Sequence, residues 1–252
     1  MSEKINVLFI GESWFFETTE YKGFDKFTSA GYQTAVEWIQ KAIECDEILF
    51  THMPCHEVTA RFPETLEELQ KYDVILLSDV GANTFLLHDD TFYGGMRTPN
   101  KLEMMKEFVL RGGGLGMIGG YLTFQGIEAK GNYAGSPLEE VLPVTLKNGD
   151  DRVELPQGYQ LTLEKREHPI IKNIPETFPY ILGYNQLKAK ENAVVLAKRN
   201  SDPLISVMEC GKGRTLAYAT DCSPHWASKE LCEWEYYPVL WKNIVKWLAN
   251  VN

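Results

Sequence analysis

No stretch of the chain approaches the roughly 18 consecutive apolar residues that a membrane-crossing helix needs, so no membrane-embedded role is expected. Nor does a basic, apolar leader precede the strand-like run at Ile5, which sets the expectation of a cytoplasmic protein. Cysteine is sparse and unpatterned: Cys45, Cys55, Cys210, Cys222 and Cys232 are odd in number and form no CxxC pair. That argues for reduced thiols and against a disulfide framework or a zinc or redox motif. Basic residues are scattered in a chain of net charge -10, leaving no stripe that could neutralise phosphates, so nucleic acid is not an expected partner. There is no repeat, low-complexity tract or charge block, and 44% hydrophobic against 24% charged residues excludes a disordered chain. A length of 252 residues then fits one large domain or one domain with an elaborated insertion.

What is present is an alternation of apolar runs and amphipathic segments. Residues 5–10 (INVLFI) run apolar without a break up to Gly11, as in a central parallel strand covered on both faces. In residues 32–42 the apolar positions Ala35, Trp38, Ile39 and Ala42 have helical spacing, and residues 46–51 follow as a second strand. The segment PETLEELQKY precedes a strand at 74–78, and a helix over 101–111 precedes another at 115–118. This predicts a doubly wound, mostly parallel α/β sheet. Beyond Gly135 the pattern changes to a short helix in SPLEEVLP and β-like runs over about 150–212, a β-rich antiparallel extension. A returning strand at 214–220 and a closing helix over 238–249 complete a single domain spanning 1–252.

In such sheets ligands bind beyond the carboxyl ends of the strands, where strand order reverses. This singles out Gly11 to Trp14, His52 to His56, Asp79 to Asn83, Gly119 to Tyr121 and Asp221 to Trp226. The segment GGGLGMIGGYLTF over 112–124, a strand running into a turn, has the glycine content of a tight, ligand-facing corner. An elbow of this kind in a hydrolase carries a Ser or Cys; here the corner is Ile118, Gly119, Gly120 and Tyr121.

Each loop supports two readings. At Glu12 and Ser13 backbone amides and a short hydroxyl can contact an anionic or polyhydroxylated ligand while Trp14 supplies a flat wall; alternatively Trp14, Phe15 and Phe16 are core beneath a long loop over 17–31. Gly119 and Gly120 can donate N–H groups to an oxyanion or simply let the strand exit sharply, with Tyr121 at the rim. Asp221 and His225 can form an acid–base pair, or Asp221 can cap the turn DCSP. His52, Cys55 and His56 have ligand chemistry but no evident fourth partner, and no metal or other cofactor is expected. His88-Asp89-Asp90 reads as a solvated loop. Trp226, Trp234, Trp241 and Trp247 read as packing around the closing helix; left exposed they would make a self-association patch, so a homo-oligomer stays open.

Five segments together resemble the class I glutamine amidotransferase-like superfamily, in the branch that carries the glutamine amidotransferase label and is close to trehalose-utilisation-type proteins. They are IGESWF with KGFD, LLSDVGAN, GGGLGMIGGYLTFQG, HPIIKNIP over 168–175, and TDCSPHW before the Trp-rich final helix. The resemblance implies a flavodoxin-like layered sheet. It also implies an elbow Cys, a late His and a Glu two residues beyond it; the chain has Ile118, His225 and Ala227 at those places. Without a thiolate no acyl-enzyme forms, so glutaminase activity is not expected unless Cys222 or Cys55 acts with His225 from another loop. The expected function is a small polar metabolite site, carbohydrate by analogy. It would be built from Glu12, Ser13, Trp14, Asp79, Gly119, Gly120 and Tyr121, with Asp221 and His225 as the reactive pair. A non-catalytic scaffold with a vestigial pocket is the alternative.

Overall fold

Val74–Ser78 and Gly114–Ile118 are buried at every position, and Ile5–Gly11 at all but one, which is why their apolar runs show no alternation. The structure, a computed structural model, describes residues 4–165 and 167–251. In chain order its first half contains β1 (Ile5–Gly11), β2 (Ser13–Lys22), β3 (Asp25–Thr34), α1 (Val36–Ile43), β4 (Ile48–Met53), α2 (Val58–Arg61), α3 (Leu66–Leu69), β5 (Val74–Ser78), α4 (Ala82–Leu86), α5 (Asp89–Phe92), α6 (Lys101–Leu110) and β6 (Gly114–Ile118). The second half adds α7 (Pro137–Val141), β7 (Val144–Thr145), β8 (Arg152–Gln160), β9 (Thr162–Leu163), β10 (Tyr180–Asn185), β11 (Lys188–Ala189), β12 (Val194–Arg199), β13 (Asp202–Cys210), β14 (Gly213–Tyr218), α8 (Lys229–Cys232) and α9 (Tyr237–Leu248).

Eight strands form one sheet in the order β4-β1-β5-β6-β14-β13-β12-β9. The first five are parallel and the last three antiparallel. The expected doubly wound, mostly parallel sheet is therefore present. The β-rich extension divides: β12 and β13 prolong the central sheet, whereas β8 and β10 make a separate antiparallel pair. Strand order reverses between β1, whose first crossover leads to β4, and β5. Right-handed crossovers running in opposite directions put α1 and α6 on opposite faces. The closing helix α9 packs on α1, and α6 on α7. Trp241 and Trp226 are fully buried and Trp247 nearly so, as expected of packing residues.

Four expectations need correction. The long loop over 17–31 is a β-hairpin, β2 and β3 pairing from Ser13↔Thr34 to Lys22↔Asp25. It is exposed along almost its whole length, so Trp14, Phe15 and Phe16 are not core. The helix expected from Tyr32 begins only at Val36, because Tyr32 and Thr34 are held in that ladder. PETLEELQKY yields one short helix, capped by the Thr65 hydroxyl accepting from the Glu68 N–H. His88-Asp89-Asp90 is not an irregular loop: the His88 ring caps α5 by accepting from the Asp90 N–H.

Gly11 fixes the junction between sheet and hairpin. Its φ is +114°, and a Cβ there would lie 1.7 Å from the Ser78 carbonyl oxygen, which accepts from the Glu12 N–H at 3.1 Å. Gly11→Ala is expected to cost roughly 2–4 kcal/mol, from backbone strain and overpacking together. A drop in the urea midpoint without a change in slope would show it.

Candidate functional site

The chain turns sharply as it leaves β1 and β5, and in each turn a carboxylate residue takes positive φ: Glu12 at +49°, directly after Gly11, and Asp79 at +48°. Left-handed backbone of this kind in a non-glycine residue is costly and collects at ligand-facing corners. These two strands flank the reversal of strand order. Asp221, after β14, contributes a third carboxylate at the same edge of the sheet.

Glu12 is buried. Its Oε1 accepts from the Ser78 hydroxyl at 2.7 Å and its Oε2 from the Ser223 hydroxyl at 3.1 Å. Burial, followed by the charges of Asp221 and Asp79, holds this carboxyl well above the usual range. Asp79 accepts the Leu122 N–H on Oδ1 at 2.7 Å and also takes the Tyr121 N–H. Burial and then the Asp221 charge push it up to about 6, although His225 and the two amides pull the other way.

Asp221 makes contacts that bear on both of its readings. Oδ1 accepts the N–H groups of Cys222 and Ser223 at 2.7 and 3.2 Å, and Oδ2 lies 3.1 Å from His225 Nδ1. Burial alone would lower the imidazole, but the hydrogen bond and charge of Asp221, with Asp79 and Glu154 behind, leave it raised. The His225 side chain is 43% exposed and Nε2 has no partner among the described residues. Its ring lies edge-on to Tyr121 at 4.7 Å and stacked with Trp226 at 5.5 Å. Asp221 thus anchors Nδ1 of a partly exposed imidazole.

The rim comes from elsewhere in the chain. Glu154 of β8 accepts from the Tyr121 hydroxyl at 3.0 Å and from the Trp226 N–H at 2.9 Å. The Arg152 guanidinium, paired with Asp150, lies 4.7 Å over the Tyr121 ring. The β-rich extension therefore helps build the site, and the loop sequences carried no sign of Arg152 or Glu154.

The glycine corner is already occupied from within. Gly119 donates its N–H to the Tyr218 carbonyl at 2.7 Å. Gly120 donates to the Asn185 Oδ1 at 3.1 Å and accepts from the Asn185 Nδ2 at 3.2 Å. Asn185 is itself held by Asp151, whose carboxylate also takes the N–H groups of Gln125 and Gly126. The amides expected to meet an oxyanion are thus spent on the fold, and those of Tyr121 and Leu122 hold the Asp79 carboxylate. An invading oxyanion would have to displace it.

The cysteines do not replace the missing nucleophile. Cys222 is fully buried, its Sγ 3.5 Å from the Ser78 hydroxyl, and burial pushes its thiol well up, with Glu12 and Asp221 adding to the effect. Burial likewise raises Cys55, whose Sγ donates to the Asp79 carbonyl at 3.7 Å. Neither is a ready thiolate. His52, Cys55 and His56 do not converge on a metal: His52 Nε2 bonds the Gly11 carbonyl, and His56 packs between Phe15 and Tyr32. Among the described residues one potential ligand group does gather, Glu12, Asp221 and Cys222, with ligand atoms within 4.8 Å of one another. Both Glu12 oxygens accept from serine hydroxyls there, so we assign it no metal.

Of the residues singled out from sequence, Glu12, Asp79, Tyr121, Asp221 and His225 meet at one edge of the sheet. Ser13 supports it by accepting the Cys55 N–H at 2.8 Å. Trp14 leaves along the hairpin, donating to Gln33 at 3.2 Å.

Among curated proteins none matches this chain. Two solved structures are similar over nearly their full lengths. "Cytoplasmic Protein STM1381 from Salmonella typhimurium LT2" is 46% identical with a TM-score of 0.92, covering 97% of this chain and 99% of that one. "Cytoplasmic Protein STM3548 from Salmonella typhimurium" is 45% identical, also at 0.92, covering 96% and 98%. A ThuA-like protein from Bacteroides uniformis shares the fold alone, at 12% identity and a TM-score of 0.57 over 98% of this chain and 93% of that one. With residues 6–250 matched by its model, the chain belongs to the family described as "Putative glutamine amidotransferase".

Proposed function

We propose that the strand-end site binds a small, uncharged, polyhydroxylated metabolite and handles it by proton transfer through His225, without glutaminase chemistry. The observation that carries this reading is the Asp221–His225 pair: Nδ1 is fixed at 3.1 Å while Nε2 is free beside the Tyr121 and Trp226 rings. The partly exposed Tyr121 ring suits the apolar face of a sugar, and the unbonded His225 nitrogen suits one of its hydroxyls. Glu12, Asp79 and Asp221 in one place disfavour an anionic ligand. The same features speak against amide hydrolysis, since Ile118 stands in place of the elbow cysteine and the nearby amides are engaged. The two Salmonella relatives described as cytoplasmic support placing the chain in the cytoplasm; none of its described helices is long and apolar enough to cross a membrane.

Thermal shift against neutral mono- and disaccharides, sugar phosphates and amino acids tests the reading. A neutral sugar at about 100 times its dissociation constant adds roughly 2.7 kcal/mol of stability. His225→Ala is expected to weaken that response, and ammonia release from glutamine to stay at background. A response confined to anions, or none, would overturn the ligand class; ammonia release lost in Cys222→Ala would overturn the chemistry.

A further inference from the structure

The β2–β3 hairpin has no counterpart in the sheet that carries the site. Its ten-residue strands run out from the ends of β1 and α1, about 33 Å at 3.3 Å per residue, and pair only with each other. Contact with the body is confined to the root, where Phe15 and Tyr32 flank His56. Along the arm both faces are largely exposed and both carry aromatics. Trp14, Phe16 and Phe27 lie on one face and Phe15, Tyr21 and Tyr32 on the other, as the strand alternation and the pairings Phe16↔Gly31 and Phe15↔Tyr32 dictate. Phe24 stands fully exposed at the tip, after Gly23 at φ +65°. An isolated two-stranded ribbon is marginal in water at best, and long edges with exposed aromatics invite association.

We infer that this hairpin is an arm that clasps a second copy of the same chain in a two-fold dimer, each arm covered by the partner's arm and body. Area is the first reason. With about 200 Å² per aromatic side chain, the exposed fractions of the seven amount to roughly 800 Å². One partner of a standard stable interface contributes about the same area, ~800 Å². Charge is the second. The chain carries -10 overall, so copies repel. Residues 13–34 hold three carboxylates (Glu17, Glu20, Asp25) against two lysines (Lys22, Lys26), a net of -1, so two copies meet here with little repulsion. Both lysines lie over the arm's own rings, Lys22 on Phe27 and Lys26 on Tyr21, so neither offers a free cation to an acidic partner of another kind. Because both faces are apolar, a partner covering only one would leave the other wet; reciprocal wrapping covers both.

Sedimentation velocity of the full chain across a wide range of micromolar concentrations tests this. Wild type is expected to run as two chains. The tip variant Tyr21→Asp with Phe24→Asp, which touches no residue of the body, is expected to weaken association by ~100-fold or more. A single-chain wild type, a variant that remains a dimer, or open-ended assemblies in the wild type would each overturn the proposal. Should the variant fail to fold, hydrogen exchange on wild type decides. Protection over residues 13–34 that is lost on dilution supports the arm, and amides that exchange freely at every concentration refute it.

Discussion

Asp79→Asn is expected to raise the free energy of unfolding at neutral pH by roughly 2–3 kcal/mol and to remove the Asp79 share of its pH dependence between about 4 and 6. In the folded chain Asp79 titrates at about 6 rather than the ordinary 3.8. Through that window the native state holds a proton the unfolded chain has released, so stability falls as pH rises and is lowest above 6. About two units of displacement amount to roughly 3 kcal/mol. Asparagine keeps an oxygen for the Leu122 amide and removes the charge that Asp221 opposes. Glu12 acts in the same direction, its raised carboxyl favouring the folded state at low pH and ceasing to do so as pH rises. His225, also raised, contributes stability below its ordinary value of 6.5 that is lost as pH climbs through its folded value. The wild type should thus be most stable in mild acid. Urea unfolding at a series of pH values measures this, and a variant no more stable than wild type at neutral pH would refute it.

The parts of the fold legible in sequence are those where burial leaves a mark. INVLFI and VILLS are continuous because both faces of β1 and β5 are covered. The hairpin left no such mark, because an arm wet on both faces has no apolar–polar contrast to read. Its signal was the β-prone content of SWFFETTEY and the turn at Gly23, which the absence of alternation masked. The site divides in the same way. Glu12, Asp79 and Asp221 could be located because they follow parallel strands, and topology places those ends together. Glu154 and Asn185 could not. They reach the site from β8 and β10, whose pairing has no local sequence cause. The glycine corner shows what sequence leaves open, since Gly119 and Gly120 permit an oxyanion site and only the positions of Asn185 and Tyr218 reveal that their amides are taken.

Asp221 allows the structural and chemical roles of its loop to be separated, because its two oxygens do different things. Asp221→Ala orphans the buried N–H groups of Cys222 and Ser223, at about 1–3 kcal/mol each, so a loss of roughly 2–4 kcal/mol is expected after local relaxation. Asp221→Asn keeps an acceptor for those amides, and most of the stability should survive. What asparagine removes is the charge on Oδ2. His225 should then titrate lower, since its raised value rests on the Asp221 hydrogen bond and charge, and Asp79 should also move down from about 6, since Asp221 is the nearest charge holding it up. NMR titration of the His225 ring in the wild type and the asparagine variant reads the first shift, and the pH dependence of urea unfolding the second. If alanine and asparagine destabilise equally, the turn-capping role is not what Oδ1 provides. If asparagine leaves the imidazole unmoved, His225 is not paired with Asp221 in solution, and the proton-transfer role proposed for the site fails with it. The expected pattern, a stability loss confined to alanine and a titration shift already present in asparagine, requires that one carboxylate both shapes the loop and poises the histidine.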